Sequence, residues 1–96
     1  MAIQSFRTSA TQKVFETGKT GKKDGWASAV EVAIRKLDYL HYAAKLEDLR
    51  SPPGNRLEAL KGDLAGFHSI RINDQWRVIF RWTQNGPEDV YIDDYH

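Results

Sequence analysis

Three consecutive side chains that can orient or move protons stand at the end of the sequence: Asp94, Tyr95 and His96. Histidine titrates near neutral pH, tyrosine donates or accepts a hydrogen bond, and aspartate can fix a histidine tautomer. They follow residues 90–93, whose composition predicts a β-strand. If that strand is paired into a sheet, the three groups are held on a rigid support and suit a small acid–base site. The alternative is a frayed, solvated tail.

Two arginines offer the anion-binding half of such chemistry. Arg77 and Arg71 alternate with apolar residues in two neighbouring predicted strands. A three-residue loop at 73–75 keeps the apolar residues of this hairpin on the core side, whereas a two-residue loop mixes the faces. The preferred register therefore predicts Arg71 beside Arg77 on the face away from the helices. Like charges so placed repel. A phosphate bound by both guanidinium groups would offset the repulsion, and the alternative is a carboxylate such as Glu58 or Asp94.

The predicted hairpins also indicate where these groups meet. Asn85-Gly86 is typical of a tight turn, so the final strand should return along the third strand toward Arg77. Lys61, after the first sheet strand, can reach the same open face. The candidate site then has six members: Lys61, Arg71, Arg77, Asp94, Tyr95 and His96. Anion binders and proton carriers without a metal cage or cofactor are what metal-free RNA cleavage requires. The 2′-hydroxyl loses a proton, the 5′-oxygen gains one, and the phosphate needs cationic support.

The elements that must position these residues form an α+β domain. The predicted order is β-α-α-β-β-β-β, with two N-terminal helices packed on one face of a small, mainly antiparallel sheet. The helices are predicted from a capping box at 9–12 to Gly18, and from near 24–26 to about 44. Strands are predicted at 3–6, 56–60, 67–72, 76–82 and about 88–94. We expect residues 1–96 to form one domain.

Bulk composition excludes several classes of protein. The 96 residues carry a net charge of +1, so any nucleic-acid site must be a local basic patch. The absence of cysteine excludes disulfides and Cys-based zinc sites. No apolar run is long enough for a membrane helix, and the first residues lack the features of a signal peptide. A cytoplasmic location is therefore expected.

Other residues with chemical potential are interpreted as structural. His41 lies beside the apolar stripe of the second helix, and His68 begins a strand position facing the core or an edge. With His96 they form no familiar metal-ligand spacing. The periodic placement of the three tryptophans favours core packing over base stacking. Tyr91 is predicted on the arginine face, where it would be able to stack on a base.

Three segments carry a resemblance to a known family. Residues 49–63 (LRSPPGNRLEALKGD), 69–77 (SIRINDQWR) and 94–96 (DYH) resemble the HigB/GraT branch of the RelE/ParE toxin superfamily. The resemblance implies a RelE-like fold and the toxin of a type II toxin–antitoxin pair. It further implies a ribosome-dependent endoribonuclease that cuts mRNA in the A site. The implied partner is a helix-turn-helix, HigA-like antitoxin that also represses the operon.

The resemblance also implies roles for the candidate residues. The acidic-Tyr-His cluster of the family is present as Asp94, Tyr95 and His96, and its sheet arginine as Arg77. Glu58 stands where some members have a catalytic histidine, so it is interpreted as a base, as a neutraliser of an arginine, or as a sign of slow cleavage. The working hypothesis makes His96 the main proton-transfer group, with Tyr95 and Glu58 as partners and Asp94 orienting the imidazole. Arg71, Arg77 and Lys61 would hold the phosphate.

Two other functions stay open at this point. ParE-like members of the superfamily inhibit DNA gyrase without cutting RNA. The chain is also compatible with an interaction module that has lost activity, which the glutamate at position 58 would explain. The terminal triplet and the paired arginines favour the nuclease, because a pure binding protein does not need them.

Overall fold

The computed structural model describes residues 2–94, and these form two helices packed on a four-stranded sheet. Helix α1 spans Ser9–Thr17 and helix α2 spans Val30–Tyr42. The strands are β1 (Glu58–Ala59), β2 (Phe67–Arg71), β3 (Arg77–Thr83) and β4 (Gly86–Asp93), all antiparallel in the order β1-β2-β3-β4. Short 3₁₀ helices occupy Ala27–Ala29, Leu46–Arg50, Pro53–Asn55 and Gly62–Leu64. The predicted α+β class is confirmed.

The helices begin and end close to their sequence signals. Thr8, one residue before the predicted cap, accepts a hydrogen bond from the Thr11 amide at the start of α1. Gly18 ends α1 as predicted, because its φ of 74° is costly for residues with a Cβ. Helix α2 begins later than predicted, after the 3₁₀ turn Ala27–Ala29. In the described part of the chain, neither helix has the length and apolar character needed to cross a membrane.

The core lies between the two helices and one face of the sheet. Leu37 and Leu40 of α2 and Val14 of α1 are fully buried against the sheet residues Val78 and Phe80. Burial of each such side chain contributes about 1.5–3 kcal/mol. A polar contact locks α1 onto the last strand, because the Thr11 hydroxyl accepts from the Ile92 amide at 3.1 Å.

Two predicted strands are shorter in the structure. The one predicted at 3–6 reduces to an extended segment with a single parallel bridge between Phe6 and Val90. Asp89 adopts a left-handed φ of 53° and gives its amide to the Ser5 hydroxyl, so the ladder does not continue. The strand predicted at 56–60 is limited to Glu58–Ala59, because Arg56 is also left-handed at φ 46°.

The predicted register of the β2–β3 hairpin is confirmed. Arg71 stands directly opposite Arg77, and the connection is the three-residue loop 73–75. The Ile72 amide donates to the Trp76 carbonyl at 2.9 Å and closes the last pair of the hairpin. The Asn73 side-chain oxygen accepts from the amides of Gln75 and Trp76, at 2.9 and 2.8 Å, and fixes the loop.

A buried lysine ties the proline-rich segment to α2. Lys36 is only 6% exposed, and its Nζ donates to Oδ1 of the fully buried Asn55 at 2.5 Å. The Asn55 amide nitrogen donates in turn to the carbonyls of Leu49 and Ser51, both at 3.2 Å. Desolvation lowers the pKa of Lys36, and the nearby charges of Arg35 and Arg71 lower it further. This contact fixes the chain just before β1, the edge strand of the sheet.

We expect Asn55→Ala to lower the free energy of unfolding by about 2–4 kcal/mol, because it removes the hydrogen-bond partner of the buried Lys36 ammonium and of the Leu49 carbonyl. Urea unfolding at pH 7 measures the loss. Asn85→Ala is the matched control, since Asn85 is exposed in the β3–β4 turn, and its effect should stay within about 0.5 kcal/mol. Equal decreases in the free energy of unfolding of the two variants would show that the buried contact does not stabilise the fold.

The lowered pKa of Lys36 also predicts a pH dependence. Between the folded-state pKa and the ordinary value of 10.5, the unfolded chain binds more protons than the folded chain. The free energy of unfolding contributed by this group therefore rises with pH up to about 10.5. Urea unfolding at a series of pH values should show that the free energy of unfolding of the wild type rises relative to that of Lys36→Met in that window. A constant difference between the two proteins would contradict the assigned shift.

Candidate active site

The candidate site begins with a row of charged residues across the open face of the sheet. Arg77 of β3 pairs with Arg71 of β2 on one side and with Asp93 of β4 on the other. Their neighbours Ile70, Val78 and Ile92 all belong to the core beneath the helices. Because successive side chains of a strand alternate between faces, the two arginines and Asp93 share the face away from the helices, as predicted for the arginines.

Both guanidinium groups have partners in the hairpin loop. Arg71 forms an ion pair with Asp74, whose side chain is 98% exposed. Arg77 Nη1 donates to the carbonyl of Asn73 at 2.5 Å and to that of Trp76 at 3.2 Å. A carboxylate therefore does offset the Arg71 charge, but it comes from the loop and is neither Glu58 nor Asp94. Each guanidinium carries five N–H donors, and a pair this exposed is worth about 0–1 kcal/mol, so an incoming phosphate can compete with Asp74.

Asp94 lies beside the same loop. Its Oδ2 accepts from Gln75 Nε2 at 3.1 Å, and its amide donates to Asp93 Oδ1 at 2.8 Å. The end of β4 thus arrives next to the β2–β3 hairpin, where the sequence predicted it. Tyr95 and His96, the two principal proton carriers of the prediction, lie outside the described residues.

Glu58 and Lys61 differ in their distance from Arg71 and Arg77, which together are called the arginine row. Glu58 is exposed and pairs with Ser69, two residues along β2 from Arg71. Lys61 follows Leu60, whose amide donates to the Phe67 carbonyl at the opposite end of β2. Arg71 lies four residue steps along β2 from Phe67, which is about 13 Å at 3.3 Å per step. The structure therefore brings Glu58 near the arginine row, while the backbone of Lys61 stands at the other end of the face.

A small apolar cluster occupies the middle of the open face. Ile79, Tyr91 and Leu60 are buried there, apart from the main core. Tyr91 does lie on the arginine face, but it is only 7% exposed, and the Arg7 guanidinium carbon lies 4.8 Å from its ring centre. The ring is covered by a cation–π contact, so it offers no open platform for a base.

The histidines and tryptophans outside the row have structural surroundings. His41 Nδ1 accepts from the Ile3 amide at 3.2 Å, and Trp26 is buried in the core. The His68 ring stacks on Phe80 on the helix side of the sheet. Among residues 2–94, no three His, Cys, Asp or Glu side chains gather where they could hold a metal ion.

Sequence reasoning missed a groove at the edge of the sheet. It has a volume of about 380 Å³ and lies between the proline-rich segment and β1, with Arg50, Arg56 and His68 among its walls. Burial lowers the pKa of His68, so its ring is neutral at pH 7. A faint sequence signal existed, because Arg50 and Arg56 flank the segment Ser-Pro-Pro-Gly-Asn.

Comparisons with known proteins identify the family of the chain. A sequence model described as the RelE-like toxin HigB of type II toxin–antitoxin systems matches residues 4–96. Toxin HigB-1 of Vibrio cholerae is 48% identical over 67 residues, which are 69% of this chain and 70% of that protein. Endoribonuclease HigB of Proteus vulgaris is 28% identical over 94 residues, covering 98% of this chain and 99% of that one.

A solved structure shows the same fold. The YoeB–YefM complex from Staphylococcus aureus contains a chain that superposes with a TM-score of 0.55, at 16% identity, over 100% of this chain and 99% of its own length. The fold is therefore RelE-like. With nearly the whole sequence matched by the family model, and with a relative nearly half identical over most of its length, the chain belongs to the HigB-like toxin family of type II toxin–antitoxin systems.

Proposed function

We propose that this toxin is an endoribonuclease that cuts mRNA in the ribosomal A site and so inhibits translation. The observation that carries the proposal is the cross-strand pair of Arg71 and Arg77, with the acidic end of β4 reaching the same hairpin. The Proteus vulgaris relative, named as an endoribonuclease and aligned over almost the full chain, supports the reaction class.

In this proposal the arginines bind the phosphate of the bond that breaks. Guanidinium groups bind phosphate through paired N–H donors, and the phosphorane-like transition state carries more negative charge than the substrate. The phosphate displaces Asp74 from Arg71, since that exposed pair is weak. Lys61, at the far end of the face, binds a phosphate further along the RNA. The reaction uses no cofactor and no metal ion.

The proton transfers are assigned to the residues around the arginine row. The 2′-hydroxyl gives up its proton as its oxygen attacks phosphorus, and the 5′-oxygen takes a proton as its bond to phosphorus breaks, leaving a 2′,3′-cyclic phosphate. We assign the main proton transfer to His96, held in the right tautomer by Asp94. Tyr95 and Glu58 are its proposed partners, and the position of Glu58 on the open face supports its assignment as a base.

The proposed partners are the ribosome and a HigA-like, helix-turn-helix antitoxin. The matching family is defined by type II toxin–antitoxin systems, and the Staphylococcus aureus protein of the same fold is named in complex with YefM. Recovery of this chain in a stoichiometric complex with the product of an adjacent gene would support the pairing. The proposed location is the cytoplasm, where translation takes place.

We expect His96→Ala to lower mRNA cleavage by about 100-fold or more, because general acid–base catalysis contributes about 10²–10⁴. The assay is a translating extract in which the 5′ ends of mRNA fragments are mapped by primer extension. Tyr42→Ala is the control, since Tyr42 is 79% exposed at the end of α2. Undiminished cuts in His96→Ala would reject the role of that imidazole. Intact mRNA together with inhibited DNA supercoiling would identify a ParE-like gyrase inhibitor instead.

Arg77→Lys tests the phosphate clamp separately. Lysine keeps the positive charge but lacks the planar fork, so cleavage should fall by about 10–100-fold. Arg35→Lys makes the same change at an exposed position of α2 and should leave cleavage unaltered. Thermal unfolding of both variants checks that the fold persists. Wild-type cleavage by a folded Arg77→Lys protein would show that this side chain does not clamp the phosphate.

A further inference from the structure

The groove beside β1 has the properties of a ligand site. Its volume of about 380 Å³ falls within the range of small-molecule sites, about 300–1,000 Å³. Leu57 and Ala59 give it apolar walls, while Arg50, Arg56 and Glu47 give it charge. Within residues 2–94, neither arginine forms an ion pair. With two arginines and one glutamate in its walls, the groove has an excess of positive charge, and neither guanidinium group is held in an ion pair by a described side chain.

His68 adds an imidazole to the wall of the groove. Its Nδ1 is buried and has no hydrogen-bond partner among the described residues. Buried polar atoms are nearly always satisfied, so one without a partner calls for an explanation. A neutral imidazole carries one donor and one acceptor. With Nδ1 buried, Nε2 is the ring nitrogen left for a polar group in the groove, such as one on the edge of a nucleobase. The stacked Phe80 ring, 6.1 Å away, holds the imidazole in place.

The groove lies around the edge of the sheet from the arginine row. β1 is the edge strand, and Glu58 and Ala59 are consecutive in it with side chains on opposite faces. Glu58 is on the open face near Arg71, whereas Ala59 lines the groove. An RNA strand bound at the arginine row would enter the groove by crossing this two-residue edge strand.

We propose that the groove between the proline-rich segment and β1 is a subsite for a nucleotide of single-stranded RNA next to the one that is cleaved. Arg50 and Arg56 bind its phosphate, His68 hydrogen-bonds its base edge, and Leu57 packs against the base. This inference rests on the proposed function, because it extends the RNA path from the same active site. The Lys36–Asn55 contact holds the wall that carries both arginines.

Binding of non-cleavable RNA tests the subsite without requiring cleavage. The probes are fluorescent 2′-O-methyl RNA, a hexanucleotide that reaches the groove and a dinucleotide that covers only the arginine row. We expect Arg50→Gln together with Arg56→Gln to weaken hexanucleotide binding about tenfold and to leave dinucleotide binding nearly unchanged. All titrations use one salt concentration. Arg35→Gln, which removes the same charge from an exposed position on α2, is the control.

The imidazole of His68 provides a second readout. In ¹⁵N NMR of the full chain, the hexanucleotide should shift its ring nitrogen signals, and the dinucleotide and inorganic phosphate should not. Any one of three results would overturn the subsite. These are the absence of saturable hexanucleotide binding, equal losses of hexanucleotide affinity in the arginine variant and the Arg35→Gln control, and ring nitrogen signals of His68 that do not shift with the hexanucleotide. Loss of antitoxin binding with intact RNA binding would assign the groove to the antitoxin and overturn it too. Absence of mRNA cleavage in the translating extract, with RNA binding as expected, would instead overturn the proposed function alone.

Discussion

The register of the β2–β3 hairpin is the constraint on which the rest of the site depends. A slip of one residue would send Arg71 or Arg77 into the core and bring apolar residues to the surface. The structure prevents this with Ile70 and Val78 packed beneath the helices and with a loop that Asn73 closes through two backbone amides. Two like charges are thus held side by side by packing on the opposite face. Their mutual repulsion is the feature that favours an anion.

The edge of the sheet is organised by a polar contact. Lys36 loses part of its hydration to reach Asn55, and Asn55 uses its amide to bind two carbonyls of the proline-rich segment. A methionine at this position would be buried at a lower desolvation cost than the lysine. What the lysine adds is a directional bond between α2 and a segment with little regular structure. The arginines of the edge groove lie on either side of that segment.

Much of the fold was predictable because local patterns agree with one another. Alternation of apolar residues fixed the β2–β3 register, and Gly18 marked the end of α1. Contacts between residues distant in sequence were beyond such reasoning. The contact between Lys36 and Asn55 is one of these, because the two residues are nineteen positions apart and no local pattern links them. The left-handed backbone conformations of Arg56 and Asp89 were also not predictable, because neither residue type by itself indicates a positive φ. Among the candidate residues, the pairing of Arg71 with Arg77 and the approach of Asp94 to the hairpin were predictable, and a carboxylate partner for the arginines was an open alternative, but Asp74 was not named as that carboxylate.

The extended N-terminal segment has a consequence for the behaviour of the protein in concentrated solution. It lies along the outer side of β4, with amide–carbonyl bonds from Gln4 to Pro87 and from Arg7 to Val90. That margin of the sheet is therefore already occupied. At the opposite margin, β1 has only two residues, too few to template another chain. Within residues 2–94, the sheet thus presents no long exposed edge for intermolecular β-pairing, which should protect the protein from aggregation.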